Sequence, residues 1–252
     1  MKKVFLSFVS VSMLLAAAKA QFAGQGSVTT AGGNLNQYLN RTVMANIKPT
    51  AKAGAINAFN NEENTKGTRF LFDTWVNGDS VSNTQGNYIS TASFLFNFDK
   101  LTGNVLVTQD KINIMSVASD GINSFILQDN DKPYIFEHVN KIDPSAFFLA
   151  LVKNESGYSL YKLFKTKFTQ ANFRSDGVVQ SGSEENEYKD ESQYYLIAPG
   201  AAAAKPINFR PKVIKAALEE KKEKTDTYFR EHKDNPIDES FLIGLITYLN
   251  QL

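Results

Sequence analysis

The chain has 252 residues with 27 basic and 26 acidic side chains, two histidines and no cysteine. The missing cysteine excludes thiol catalysis, cysteine-ligated zinc and iron–sulfur chemistry, and the near-neutral charge argues against nucleic acid or an anionic membrane as the main partner. The length allows one large domain, or one domain plus an appendage, held by an apolar core rather than by disulfides.

The first twenty residues read as a signal peptide. Lys2 and Lys3 form a positive start, residues 4–18 are apolar without an acidic side chain, and Ala18-Lys19-Ala20 offers small residues where a signal peptidase reads. The run is too short to span a bilayer, so no integral span is expected after cleavage. Losing Lys2, Lys3 and Lys19 would leave 24 basic against 26 acidic side chains. The expected address is export through a Sec-type signal, to the periplasm or the cell surface. Residues 21–66, rich in Asn, Gln, Ala, Gly and Thr, are expected to be a polar, partly disordered leader.

From residue 67 to residue 200 the chain predicts an antiparallel β domain. Residues 68–76 open it, and Asn77-Gly78 reads as a turn. Residues 88–98 predict the next strand, since Phe94, Phe96 and Phe98 fall on every second residue. A turn at residues 99–103 leads to strands over 104–109 and 112–117. Strand 122–128 and strand 134–139 are joined by a turn at 129–132, with Pro133 opening the second. Residues 147–153 are nearly all apolar and predict a strand buried on both faces. Residues 158–169, punctuated by Lys162, Lys165 and Lys167, predict an exposed or edge strand. A polar excursion over 173–191 precedes a last strand at 192–198.

The period then changes to that of helices over 201–252. Pro211 suits a helix start, the charged block 219–224 suggests a break, and Asp238 suits the N-cap of a final helix over 239–249. Phe241, Leu245 and Tyr248, with Leu242, Ile246 and Leu249 beside them, make an apolar face too broad to leave uncovered. The expected fold class is therefore α+β: an antiparallel meander, sandwiched or partly closed as a barrel, with C-terminal helices packed on it.

Several segments carry a resemblance. Residues 67–72 followed by Trp75 and a glycine, Phe96-Asn97-Phe98-Asp99 before a short hairpin, Gly157-Tyr158-Ser159-Leu160-Tyr161-Lys162 and the closing Tyr248-Leu249-Asn250 together resemble a group of uncharacterised exported β-rich proteins of Bacteroidota. The resemblance covers residues 67–252, implies a bacterial envelope setting and brings no activity or site with it. Asp79-Ser80-Val81 also resembles the O-glycosylation acceptor motif of that phylum, making Ser80 a candidate modification site in a loop.

Chemistry is sparsely signalled. His138 and Glu137 are strand neighbours and must point to opposite faces, and no Gly-x-Ser-x-Gly elbow is present. Asp129-Asn130-Asp131 lacks the glycine and distal glutamate of a calcium loop and reads as a turn. The acidic residues over 184–191 read as a solvated loop, and Ala31-Gly32-Gly33 precedes no strong helix that would make it a phosphate loop. No cofactor or metal is called for. Trp75, Tyr134 and Tyr161 are the candidates for lining a sugar or lipid site, against the competing role of core aromatics. The leading expectation is a non-enzymatic exported domain that binds an envelope protein or a ligand. The alternatives are a carrier holding a small hydrophobic ligand in a barrel-like cavity, and a hydrolase whose residues meet only in the fold.

Overall fold

The structure, a computed structural model, describes residues 47–49, 65–83, 88–90, 93–112, 114–117, 122–175 and 180–251. The predicted signal peptide and most of the predicted leader lie outside these residues. In chain order the strands are β1 (Ile47–Pro49), β2 (Thr65–Lys66), β3 (Val76–Asn83), β4 (Tyr88–Ser90), β5 (Leu95–Asp99), β6 (Asn104–Thr108), β7 (Met115–Val117), β8 (Ile122–Asp129) and β9 (Lys132–Val139). They continue as β10 (Asp143–Val152), β11 (Ser159–Leu163), β12 (Thr166–Thr169), β13 (Arg174–Ser175), β14 (Gln180–Ser181), β15 (Asn186–Asp190), β16 (Gln193–Ile197) and β17 (Lys205–Ile207). Three helices close the chain: α1 (Pro211–Ala217), α2 (Lys222–Glu231) and α3 (Glu239–Asn250).

The expected α+β class is what the chain adopts. One large antiparallel sheet runs β1-β7-β6-β5-β3-β8-β9-β10-β11-β16-β17, with β4 alongside β3. Among the described residues its two end strands, β1 and β17, do not pair with each other, so the sheet is not a closed barrel. One face of its middle strands carries a phenylalanine core. Phe98, Phe125 and Phe136 stack with centroids 4.7–6.4 Å apart, and Phe147 meets Phe125 edge-on at 4.8 Å. Phe94, Phe96 and Phe98 are all buried, as their spacing predicts.

The helices cover the β10–β11–β16–β17 end of the sheet on one side. Ile214, Leu218, Leu242, Leu245 and Ile246 are fully buried against Leu160 and Leu196. Asp238 caps α3 as expected, its carboxylate accepting from Phe241 N at 3.0 Å. The apolar faces read from the sequence thus bury each other, which is the main term holding sheet and helices together.

Several expectations need correction. Residues 68–75 form no strand, but an irregular segment bridged at Phe70 to Asp99. Arg69 and Leu71 still bond the backbone of Lys100 and Phe98, and a buried side chain serves the next residues: Asn97 accepts from Phe72 N at 3.2 Å and donates to Phe72 O and Thr74 O. Arg69 grips Asp99, which also accepts from Leu101 N and Thr102 Oγ1. Asn77-Gly78 is not a turn; it lies inside β3. Gly78 is needed there because a Cβ would sit 2.6 Å from the Phe96 ring.

The predicted strand 88–98 is split into β4 and β5, and the predicted strand 158–169 into β11 and β12. The expected edge holds for half of it: β12, with the exposed Lys167, is an end strand of the small sheet β12-β15-β2, whereas β11 lies between β10 and β16, and Lys162 on it pairs with Glu239 of α3. The polar excursion contains β13–β15, and β16 is not the last strand, since β17 pairs with it. Two pieces of the predicted leader are strands: β1 pairs with β7, and β2 runs parallel to β15. The turn at residues 129–132 is as expected, with Asn130 at φ 48° and Asp131 at φ 63°, the geometry of a two-residue type I′ hairpin.

Candidate functional site

A concavity that combines charged and apolar groups lies on the face of β9–β11 that the helices leave uncovered. Alternation along β9 turns Phe136 and His138 to the phenylalanine core and Glu137 and Val139 the other way. On that second face Val139, Phe148, Tyr161 and Ile197 form their own buried cluster. The β9–β10 pairing slips between Asp143 and Phe147, and the bent tip is held where Ala204 N donates to Lys141 O at 2.9 Å. Between this tip, the turn after β10 and the turn after β16 opens a cleft of about 300 Å³.

Glu137 lies in the lining of this cleft. Its Oε1 accepts from the Tyr161 hydroxyl at 2.7 Å and its Oε2 from Lys153 Nζ at 2.6 Å. The phenol reaches Glu137 across β10, where Ala150, the residue paired with Tyr161, has too small a side chain to block it. Burial and the bond to Glu137 together push the Tyr161 hydroxyl well above the ordinary phenol value. Its hydroxyl is a hydrogen-bond donor held in place by Glu137. The Glu137 side chain is 16% exposed and Lys153 is 51% exposed, so the pair runs from a shielded floor to a wet rim. Asn140, Lys141, Asn154 and Glu155 complete a rim of mixed sign, and Val139, Ile197 and Ala198 give an apolar wall.

The structure separates the three aromatics singled out from the sequence. Trp75 packs beside Phe70 and Leu106, Tyr134 packs edge-on against Phe72 at 5.0 Å, and only Tyr161 reaches the cleft. Ser80 stands in β3, paired with Ser90 and Ile126, and not in the expected loop. His138 makes a 3.0 Å bond between Nδ1 and Ala146 O and packs on Phe147. His232 stacks on Tyr228 at 4.0 Å. Glu185 and Asp190 of the acidic stretch pair with Lys66 and Lys100. Among the described residues no group of three His, Asp or Glu side chains is placed to hold a metal ion, and no helix is long and apolar enough to cross a membrane.

Sequence reasoning missed Glu137 and Lys153 as partners of Tyr161. The one signal was a carboxylate interrupting the apolar run of β9, at a position whose parity opposes Phe136. No family model matches the chain, and neither the curated proteins nor the solved structures include a match.

Proposed function

We propose that this chain is a non-catalytic binding domain of an exported protein, and that the cleft beside β9–β11 holds a small ligand. The observation that carries the reading is the fixed carboxylate: Glu137 is oriented by both Tyr161 and Lys153 before any ligand arrives. Such preorganisation lowers the ordering cost of binding. A convergent polar floor with an apolar wall is the usual make-up of a small-molecule site. The balanced lining, with Lys141 and Lys153 against Glu137 and Glu155, favours a ligand of no net charge that carries both donors and acceptors. Export is supported by the N-terminal sequence pattern and by the resemblance to the Bacteroidota group.

Native mass spectrometry tests this. The purified chain is incubated with a small-molecule extract of bacterial cells, desalted and weighed. A discrete adduct on the wild type that is lost in Tyr161→Ala and weakened in Lys153→Ala is expected. A clean mass under all conditions, or an adduct indifferent to both substitutions, would remove the reading.

A further inference from the structure

The cleft and the helices lie on opposite faces of the sheet, but they share one segment. The turn 153–158 and the first residue of β11 supply Lys153, Asn154, Glu155, Gly157 and Ser159 to the cleft lining. In the same turn the Tyr158 ring points the other way and is buried in the helix-side cluster.

Side chains shape this turn where the strand ladder ends. The β10–β11 register slips between Ala150 and Val152, and Val152–Leu160 is the final pair before the turn. Past it, Asn154 N donates to Ser159 Oγ at 3.0 Å, and Ser156 N donates to Asn154 Oδ1 at 3.1 Å. Tyr158 N donates to Asn250 Oδ1 at 2.8 Å, and Asn250 alone of these three acceptors belongs to another element, α3. Asn250 Nδ2 also donates to Tyr158 O, so one side chain orients the peptide groups on both sides of residue 158. The neighbouring Gly157 has no room for a side chain, since a Cβ would run into the amides of both Asn250 and Asn154. The path of the turn is thus set from α3.

Lys153 opens this turn and reaches across to Glu137 Oε2 at 2.6 Å. With half of its side chain exposed, it takes its aim from the backbone that carries it more than from packing. We propose that Asn250 is a positioning residue of the cleft: it sets the turn that holds Lys153 on Glu137. The functional consequence rests on the cleft being the ligand site proposed above. There, a ligand held at Glu137 and Lys153 and the docking of the last turn of α3 favour each other, because coupling between two sites acts in both directions.

Amine labelling of the full chain tests this without a ligand. A limiting amount of an acetylating N-hydroxysuccinimide ester is added, and acetylation of Lys153, Lys162 and the exposed Lys167 is read by peptide mass spectrometry. In Asn250→Ala the ratio of Lys153 to Lys167 should rise about fivefold, as a coupling of about 1 kcal/mol gives. Lys162, which pairs with Glu239 of α3, should keep its ratio, showing that the helix has not loosened as a whole. Glu137→Gln should also raise Lys153, and Asn250→Ala added to it should raise Lys153 no further. Where circular dichroism shows Asn250→Ala unfolded, the reverse direction serves: Lys153→Ala, at an exposed position, should speed hydrogen exchange of the Tyr158 amide. An unchanged Lys153 ratio, equal rises at Lys153 and Lys162, additive effects with Glu137→Gln, or an unchanged Tyr158 amide in Lys153→Ala overturns the proposal. A cleft that takes no ligand while Lys153 responds as expected removes the binding reading and leaves Asn250 as the residue that positions Lys153.

Discussion

Asn250, in the last turn of α3, holds the backbone of Tyr158 as a neighbouring strand would. Its Oδ1 accepts from Tyr158 N and its Nδ2 donates to Tyr158 O, both at 2.8 Å, across 92 residues of sequence. The end of the last helix is thereby latched to the start of β11, and Gly157 leaves the space for it, since a Cβ there would collide with Asn250 Oδ1. Asn250→Ala leaves a half-buried donor and acceptor without partners and should cost about 1–3 kcal/mol. Gly157→Ala should cost a similar amount by displacing the same amide. The two together should cost less than the sum of the singles, as urea denaturation of the four chains would show.

Gly244 offers a test with a change of sign. Alanine in place of glycine ordinarily stabilises a helix by about 1 kcal/mol. Here the added methyl would run into the Tyr228 hydroxyl. Tyr228 is pinned by His232 at 4.0 Å, Phe241 at 5.3 Å and Tyr248 at 5.5 Å and has little room to yield. Gly244→Ala should lower the melting temperature in the wild type and raise it in a Tyr228→Phe background. A rise in both would mean that α2 and α3 are less closely packed than described.

The alkaline limit of stability should trace to tyrosines. Burial pushes up the hydroxyls of Tyr158, Tyr161, Tyr194 and Tyr228, and carboxylate partners add to this at Tyr161 and Tyr194. A raised folded pKa gives stability that is complete below the unfolded value of about 10 and lost as the pH climbs through the folded value. In a phenolate absorbance titration these four of the ten tyrosines should ionise late, together with unfolding. Tyr194→Phe should flatten the fall in stability above about pH 10.

At acid pH the sign is opposite. Burial pushes the Asp190 carboxyl up, but the hydrogen bonds from Lys100 and Thr166 outweigh it and hold the group below its ordinary value. A depressed folded pKa gives stability that is complete above the unfolded value of about 4 and lost as the pH falls through the folded one. Asp190→Asn should therefore destabilise the chain most at neutral pH, where it strands the Lys100 ammonium, whose side chain is only 7% exposed. Its stability curve should converge on the wild type's as the pH falls below about 3.

The sequence revealed most where burial alone decides structure. The burial of Phe94, Phe96 and Phe98, the turn at residues 129–132 and the Asp238 cap each depend on a few adjacent residues, and each is found as read. It misled where a distant side chain replaces a local partner. Residues 68–75 look like a strand by composition, but Asn97 and Asp99 satisfy their polar groups from another part of the fold. Gly78 looks like turn chemistry, but its lack of a side chain serves the Phe96 ring. Lys162 looks like edge protection, but it belongs to an ion pair with a helix 77 residues away. The Glu137–Tyr161–Lys153 group was illegible for the same reason. Its members meet only because the phenol crosses an intervening strand at Ala150.

The proposed role of the cleft beside β9–β11 is to bind a small ligand through the carboxylate that Tyr161 and Lys153 hold. The most direct measurement is a fragment-soaking crystallographic screen of the chain, using neutral polar fragments of fewer than about twenty non-hydrogen atoms. Hits are expected to cluster in the cleft, bonded to the Glu137–Tyr161–Lys153 group, and crystals of Tyr161→Phe are expected to lose most of them. Hits scattered over other surfaces with the cleft holding only solvent, or the same occupancy in the variant, would contradict it.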